Sequence, residues 1–294
     1  LVVLVSVSFV LFLIVWYAVS GVTFNIDPLK VYDFRSENQT KAGGGILNYM
    51  IPWTYKIFTM TLLAIALLTR RYVLAVLIVS VQIFFYSASA HKSVILSPLL
   101  ILGLYFYLRK TNSAVFAPTI LSVLIILSLG MFYFFDDLFT SSVLVRRMLF
   151  VPSNFTFTYF EFFDSNPKVY WSNSFFSTFI DYPYNQGQPI AGVIGEFIGA
   201  PDQNANNGFI SSGFAHAGLL GVFFYSIIIG LILRFLNHTT ANLLPLWFVL
   251  SLCAVPLTSL ILSSDLLIVL LTHGLIFSLL IITLVRSKKY AKSS

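Results

Sequence analysis

Charge is what this chain has least of. Asp, Glu, Lys and Arg make up 10% of its 294 residues, against 58% hydrophobic residues and a mean hydropathy of +0.89. A water-soluble domain of this size cannot cover its surface with so few polar groups, so that class is excluded. A membrane barrel is excluded next, because its strands alternate in polarity over ~10 residues whereas the apolar runs here are far longer. Backbone N–H and C=O groups find no water in lipid, and the spans must therefore be helices. Cysteine is nearly absent as well: Cys253, in an apolar run, rules out an internal disulfide and says nothing of redox compartment. The chain lacks HExxH, CxxC and Walker A patterns, which leaves neither a metal nor a nucleotide a recognisable site, and no cofactor is expected. No internal repeat is evident, which weighs against the symmetric halves of many transporters.

What is present is a series of apolar runs that predicts an all-α polytopic membrane protein. Eight spans are expected, over residues 1–22, 53–69, 72–88, 94–108, 114–135, 209–233, 243–262 and 266–285. The first has no basic n-region and no small-residue cleavage site, so it reads as a true span and not a signal peptide. The absent initiator Met leads us to expect that residues are missing upstream, up to whole helices. The chain is expected to form a single membrane domain, 1–294, with a first outer loop at 23–52 and a large one at 136–207.

A net charge of +6 and a pI near 9.3 would suggest a nucleic-acid partner in a soluble protein. Placement argues otherwise. Arg70, Arg71, Arg109, Lys110, Arg234, Arg286, Lys288, Lys289 and Lys292 occupy connections and a tail that contain no acid. The other eight cations share the opposite side with all 11 acids, from Asp27 to Asp265. The positive-inside rule then puts the first set in the cytoplasm and both polar loops, with the His91-Lys92 turn, outside. Both chain ends face the cytoplasm, the partner is a lipid bilayer, and nucleic acid is not expected.

The segment from Asp136 to Asn207, with the turn that follows up to His216, concentrates the candidate chemistry. Arg146 and Arg147 stand outside, where topology gives them no task; a guanidinium fork suits phosphate oxygens, and the alternative is a salt bridge to Asp136, Asp137 or Glu161. Arg35 is a similar outward arginine. Lys92 lies in a turn short enough to hold it at the membrane boundary, as a functional cation or a snorkelling one. His216, in Gly213-Phe-Ala-His216-Ala-Gly218, puts an imidazole near the outer end of the sixth span, where it could take a proton from a sugar hydroxyl or make a helix-packing hydrogen bond. Tyr159, Glu161, Trp171, Asp181, Tyr182, Glu196 and Asn207 are the other polar and aromatic candidates. Aromatics are 17% of the chain, and those of the large loop read as interfacial anchors or as a sugar-stacking surface. Phe alternates with polar residues over 154–163, an amphipathic pattern whose period is ambiguous between helix and strand.

Taken together, Val31-Tyr-Asp-Phe-Arg35, His91-Lys92-Ser93, Arg146-Arg147 with Pro152, Tyr159-Phe-Glu-Phe-Phe163, Asn166-Pro167 and Asn206-Asn207-Gly-Phe209 before a Gly-rich span resemble the O-antigen polymerase (Wzy-type) family. The resemblance covers nearly the whole chain. It implies polymerisation of undecaprenyl-pyrophosphate-linked oligosaccharide repeat units in the bacterial inner membrane, at a periplasmic site and without a metal. The terminal hydroxyl of one lipid-linked unit attacks the anomeric carbon of another, and undecaprenyl pyrophosphate departs. By position, Arg146, Arg147, Arg35 and Lys92 would hold the pyrophosphate and His216 would be the base. Tyr159, Glu161, Trp171, Asp181, Tyr182, Glu196 and Asn207 would meet the glycan, and a chain-length regulator protein is a further expected partner. An O-antigen ligase, a transporter or flippase for lipid-linked glycans, and a structural assembly protein are the competing readings.

Overall fold

A computed structural model of the chain describes residues 1–25, 38, 41, 43–89, 91–111, 113, 115–174, 176–185 and 187–286. Among these every regular element is helical and no strand occurs. In chain order they are α1 (Val2–Val19), α2 (Leu47–Leu68), α3 (Tyr72–Ser89), α4 (Lys92–Thr111), α5 (Phe116–Phe135), α6 (Leu138–Ser141), α7 (Val151–Ser165), α8 (Ile190–Phe197), α9 (Phe209–Asn242), α10 (Leu246–Leu262), α11 (Leu266–Leu271) and α12 (Leu275–Arg286).

Six of these helices are long and apolar enough to cross a membrane: α1, α2, α3, α4, α5 and α9. Their outward faces agree with that setting. In α5 only 6% of the spanning window is buried, and Ile126, Leu127 and Leu129 are all exposed; no soluble protein leaves so much apolar surface in water. The last two expected spans differ from the rest. α10 has 17 residues, and the segment 266–285 is two shorter helices, α11 and α12, separated by a turn at Thr272–Gly274.

The chain divides into two compact units. The first comprises 1–112, 236–256 and 270–294, the second 113–235 and 257–269. In the first, Val10, Leu13 and Tyr17 of α1 pack with Tyr55 of α2 and Phe85 and Tyr86 of α3. Lipid tails are as apolar as these side chains, so close packing and buried hydrogen bonds hold the helices together. α2 shows how. Pro52 lies inside it, and residues Thr54–Phe58 form a π-helical turn. Side chains take up the displaced carbonyls: Thr54 Oγ1 donates to Met50 O (2.7 Å), Thr59 Oγ1 to Thr54 O (2.9 Å) and Gln82 Nε2 to Tyr55 O (2.9 Å).

In the second unit the ambiguous aromatic stretch is a helix. Phe155, Tyr159 and Phe163, spaced by four, form the buried stripe of α7 and pack on Ile194 of α8 and Phe214 and Ala215 of α9. Pro152 stands in the first turn, where a missing N–H costs nothing. Much of the expected outer loop is therefore helical, from α6 through the π-helical Ser142–Phe150 to the end of α7.

Candidate functional site

The second unit contains a break in its longest helix. α9 loses helical geometry at Ala217 (φ −147°, ψ 29°) and Gly218 (φ 61°, ψ −145°), the second a conformation that essentially only glycine adopts. The two pieces fold back until Gly213 and Gly221 meet backbone to backbone; a Cβ on Gly221 would overlap the Gly213 carbonyl oxygen. The same economy operates at the start of the helix, where a Cβ on Gly208 would overlap the carbonyl of Ile261. The Gly213, Gly218 and Gly221 pattern thus encodes a break.

Breaking a helix frees carbonyls, and the chain after α7 caps them. Val169 N–H donates to Ala215 O (2.9 Å) and Tyr170 N–H to His216 O (3.0 Å). To do so Tyr170 and Trp171 take left-handed backbone conformations, at φ 49° and 56°, each at a cost of about 1–2 kcal/mol. The next N–H, that of Trp171, donates to His216 Nδ1 at 3.1 Å. The break, the strained loop and the histidine are one construction.

His216 Nδ1 is an acceptor, so the proton of the neutral imidazole resides on Nε2, which faces Asp265 Oδ2 at 3.4 Å. Asp265 stands in the connection between α10 and α11. Tyr225 O–H donates to its Oδ2 (2.9 Å) and Leu267 N–H to its Oδ1 (2.8 Å), while Trp171 Nε1–H donates to the Tyr225 oxygen (2.7 Å). The Trp171 indole stacks on the imidazole with centroids 4.9 Å apart. Burial would push the Asp265 carboxyl up, but the hydrogen bonds it accepts from His216, Tyr225 and Leu267 outweigh it and hold it below its ordinary value. The result is an ionised carboxylate coupled to a protonated imidazole nitrogen. Of the pair, the Asp265 side chain is 14% exposed and that of His216 only 3%. Asp265 is the member a substrate could reach.

Lys168 lies beside the break. Its ammonium donates to Phe163 O, stands 4.4 Å from the Phe214 ring centroid, and its Cε would be 3.6 Å from a Cβ on Gly218. Burial holds this amine below its ordinary value, with Asp164 opposing the shift.

Of the residues expected from sequence, the structure joins His216 and Trp171 directly. Tyr159 is buried, donates to Ala205 O (3.0 Å), and is held above its ordinary value by burial and then by the Asp265 charge. Asn207 is buried and turned inward, donating to Thr156 Oγ1 (3.1 Å) and Ser211 Oγ (2.7 Å). Glu161, Asp181 and Glu196 are exposed, and Tyr182 is half-buried. Arg146 and Arg147 are exposed on the π-helical run. Lys92 opens α4 in the first unit with its side chain outside the described residues, where Arg35 lies entirely. Sequence reasoning missed Asp265, Tyr225 and Lys168. The signal for Asp265 was available: an isolated acid between two apolar helices, on the side assigned to His216.

No family model, curated protein or solved structure matches this chain.

Proposed function

We propose that the chain is a polysaccharide polymerase of the inner membrane, joining undecaprenyl-pyrophosphate-linked oligosaccharides by glycosyl transfer, with eight spans and its chemistry on the periplasmic side. The observation that carries this reading is the His216–Asp265 couple at the broken end of α9. It joins a helix end and an inter-helix connection that charge placement had independently assigned to the same side of the membrane. Proton removal from a sugar hydroxyl is the step such a couple serves.

In this mechanism the acceptor hydroxyl approaches Asp265, the more exposed member. Its oxygen forms a bond to the donor's anomeric carbon while the bond from that carbon to the diphosphate oxygen breaks, and the electron pair leaves with undecaprenyl pyrophosphate. The hydroxyl proton passes to the Asp265–His216 couple. Tyr225, Leu267 N–H and Trp171 position it. Arg146 and Arg147 are the cations of this unit offered to the growing charge on the leaving group; one such contact made only in the transition state is worth about a hundredfold in rate. Trp171, Tyr182, Glu161, Asp181 and Glu196 are the groups left for the glycan.

Expression in a strain lacking its own polymerase tests this. Wild-type chain yields a ladder of polysaccharide lengths, whereas Asp265→Asn and His216→Gln leave single repeat units. An undiminished ladder from both variants would remove the couple from the reaction. If instead chain length persists and attachment to lipid A disappears, the protein is a ligase. The break in α9 beside the buried His216–Asp265 couple also favours a second reading, a transporter of lipid-linked glycans, since discontinuous helices build substrate sites in that class. Glycan transfer by purified protein in detergent, with no membrane to cross, separates it from the enzyme.

A further inference from the structure

The two ends of the first unit differ in kind. At one, where α2 and α4 begin, Lys56, His91 and His273 border a cavity of about 250 Å³. At the other, where α2 and α4 end and α3 begins, Arg70, Arg71, Arg109 and Lys110 are all exposed. No Asp or Glu occurs among the described residues of this unit, so no carboxylate among them answers these four charges. An arginine keeps its charge in any setting. The cluster is therefore open to an anion from outside.

Charge placement alone accounts for cations at these helix ends, but not for how two of them are held. Arg109 Nη1–H donates to the Tyr105 hydroxyl at 2.5 Å, and the guanidinium stands 5.4 Å from the centroid of that ring. This uses one N–H of the fork and leaves the rest for another acceptor. Tyr105 is itself buried and packs edge-on against Trp247 of α10, with centroids 4.9 Å apart. Its oxygen lies 3.2 Å from the hydroxyl of Tyr72, an exposed residue that opens α3. The charges of Arg109 and Arg70 both act on the Tyr72 hydroxyl, which brings the helix ends within reach of one small anionic group. Arg70 stands at φ 57°, a left-handed position just past α2 where glycine would avoid the strain. A topology signal needs only charge on one side; it needs neither a tyrosine-bound guanidinium nor a strained arginine.

The surroundings select a lipid. α3 and α4 are both long and apolar enough to cross a membrane, and near the cluster Val73, Val76 and Leu77 of α3 and Phe106 of α4 are exposed. A nucleic acid or an acidic protein would meet the cations and leave these side chains uncovered, whereas a lipid meets both. A phosphodiester offers the oxygens that a guanidinium fork and a tyrosine hydroxyl bind. Arg71 and Lys110 repel the cationic headgroup of a zwitterionic lipid and so favour a net anionic one.

We propose that the ends of α2, α3 and α4 form a binding site for an anionic phospholipid, with Arg109 and Arg70 pairing its phosphate, Tyr72 donating to it, and Tyr105 positioning Arg109. The site rests on the membrane setting and is independent of the polymerase reading.

Native mass spectrometry of the full chain in detergent, titrated with phosphatidylglycerol and with phosphatidylcholine, tests this. Wild type binds one phosphatidylglycerol about tenfold more tightly than phosphatidylcholine, and Arg109→Gln removes that preference. Tyr72→Phe and Arg109→Lys leave the number of charges unchanged yet weaken binding about threefold each. Lys56→Gln, near the other end of α2, has no effect. Should Arg109→Gln disturb folding, Arg70→Gly carries the test, because glycine relieves the strain: phosphatidylglycerol binding falls while the unfolding temperature holds or rises. Equal affinity for the two lipids would overturn the site. So would an affinity that follows charge alone, falling alike in Arg109→Gln and Lys56→Gln while Tyr72→Phe and Arg109→Lys match wild type. Displacement of the bound lipid by equimolar polyglutamate would give the cluster to an acidic protein, and displacement by equimolar inorganic phosphate would show that the acyl chains contribute nothing; either overturns the lipid.

Discussion

In the second unit the polar side chains face one another; in the first they face an opening. His216, Trp171, Tyr225 and Asp265 satisfy each other through a closed set of hydrogen bonds, and the imidazole is all but sealed from solvent. Lys56, His91 and His273 instead surround a cavity. Both arrangements depend on a helix that departs from α geometry, α9 at Gly218 and α2 at its π-helical turn. The difference lies in what fills the space the distortion creates. In α9 the strained loop at Tyr170 and Trp171 caps the freed carbonyls. In α2 side chains cap them, and the space beside the turn stays open. A closed network suits holding a proton, and an open one leaves its polar groups accessible.

The sharpest way to break this contrast is to remove Asp265. Asp265→Ala leaves His216 Nε2–H and Tyr225 O–H without their acceptor in a mostly buried site, and should lower unfolding stability by about 3 kcal/mol, the lower end for breaking a buried pair because the carboxylate is partly exposed. Thermal unfolding in detergent reads this. The same residue sets a pH dependence. Its folded value lies below its ordinary one, so its contribution is present above that value and is lost as pH falls below about 4. The unfolding temperature of wild type should therefore drop more steeply in that range than that of Asp265→Asn. Parallel pH curves would mean that the couple is not formed.

The next largest effect separates the two distortions. Gly221→Val drives a side chain into the Gly213 carbonyl and should cost about 3 kcal/mol, opening the α9 break and flattening the acid-side drop in unfolding temperature that Asp265 sets. Gly274→Ala strains a left-handed turn and moves Ile57, at about 1–2 kcal/mol, while leaving the second unit's pH response intact. If both variants altered that response equally, the two regions would not be independent constructions.

These glycines mark where sequence reading succeeds and stops. Hydropathy identified the long spans, because period and length depend on the chain alone. The stripe of Phe155, Tyr159 and Phe163 was visible as a pattern, yet its period became decidable only once Ile194 and Phe214 were seen to cover it. His216 was legible as an imidazole at a helix end. Its partner was not, because Asp265 lies 49 positions further on and nothing local pairs them. The cavity was less legible still: Lys56 reads as an ordinary residue near a span's start until the turn at Gly274 brings His273 to it.

Tyr225→Phe is a milder probe of the closed network. It removes the donor to Asp265 and the acceptor for Trp171 Nε1–H, leaving the indole N–H in a mostly apolar setting, and should cost about 1–2 kcal/mol. If the proposed polymerase reaction holds, polysaccharide length should shorten without vanishing, since His216 and Leu267 still hold the carboxylate.

Tyr182 offers the smallest effect and the finest distinction. Its hydroxyl is buried without a hydrogen-bond partner among the described residues, and burial, then Tyr184, pushes its pKa up to about 12. An unsatisfied hydroxyl in that position contributes nothing to stability and costs some desolvation, so Tyr182→Phe should leave unfolding unchanged or raise it by up to ~1 kcal/mol. The ring would keep its edge-on contact with Tyr184, whose centroid is 5.6 Å away. A hydroxyl kept at a cost in the folded protein has its use elsewhere, and a glycan hydroxyl is the partner the proposed reaction supplies. On that account Tyr182→Phe weakens acceptor binding severalfold with no loss of stability and no change in the pH response of Asp265. A variant equal to wild type in transfer as well as in stability would make Tyr182 a packing residue and leave glycan recognition to Trp171 and the exposed acids.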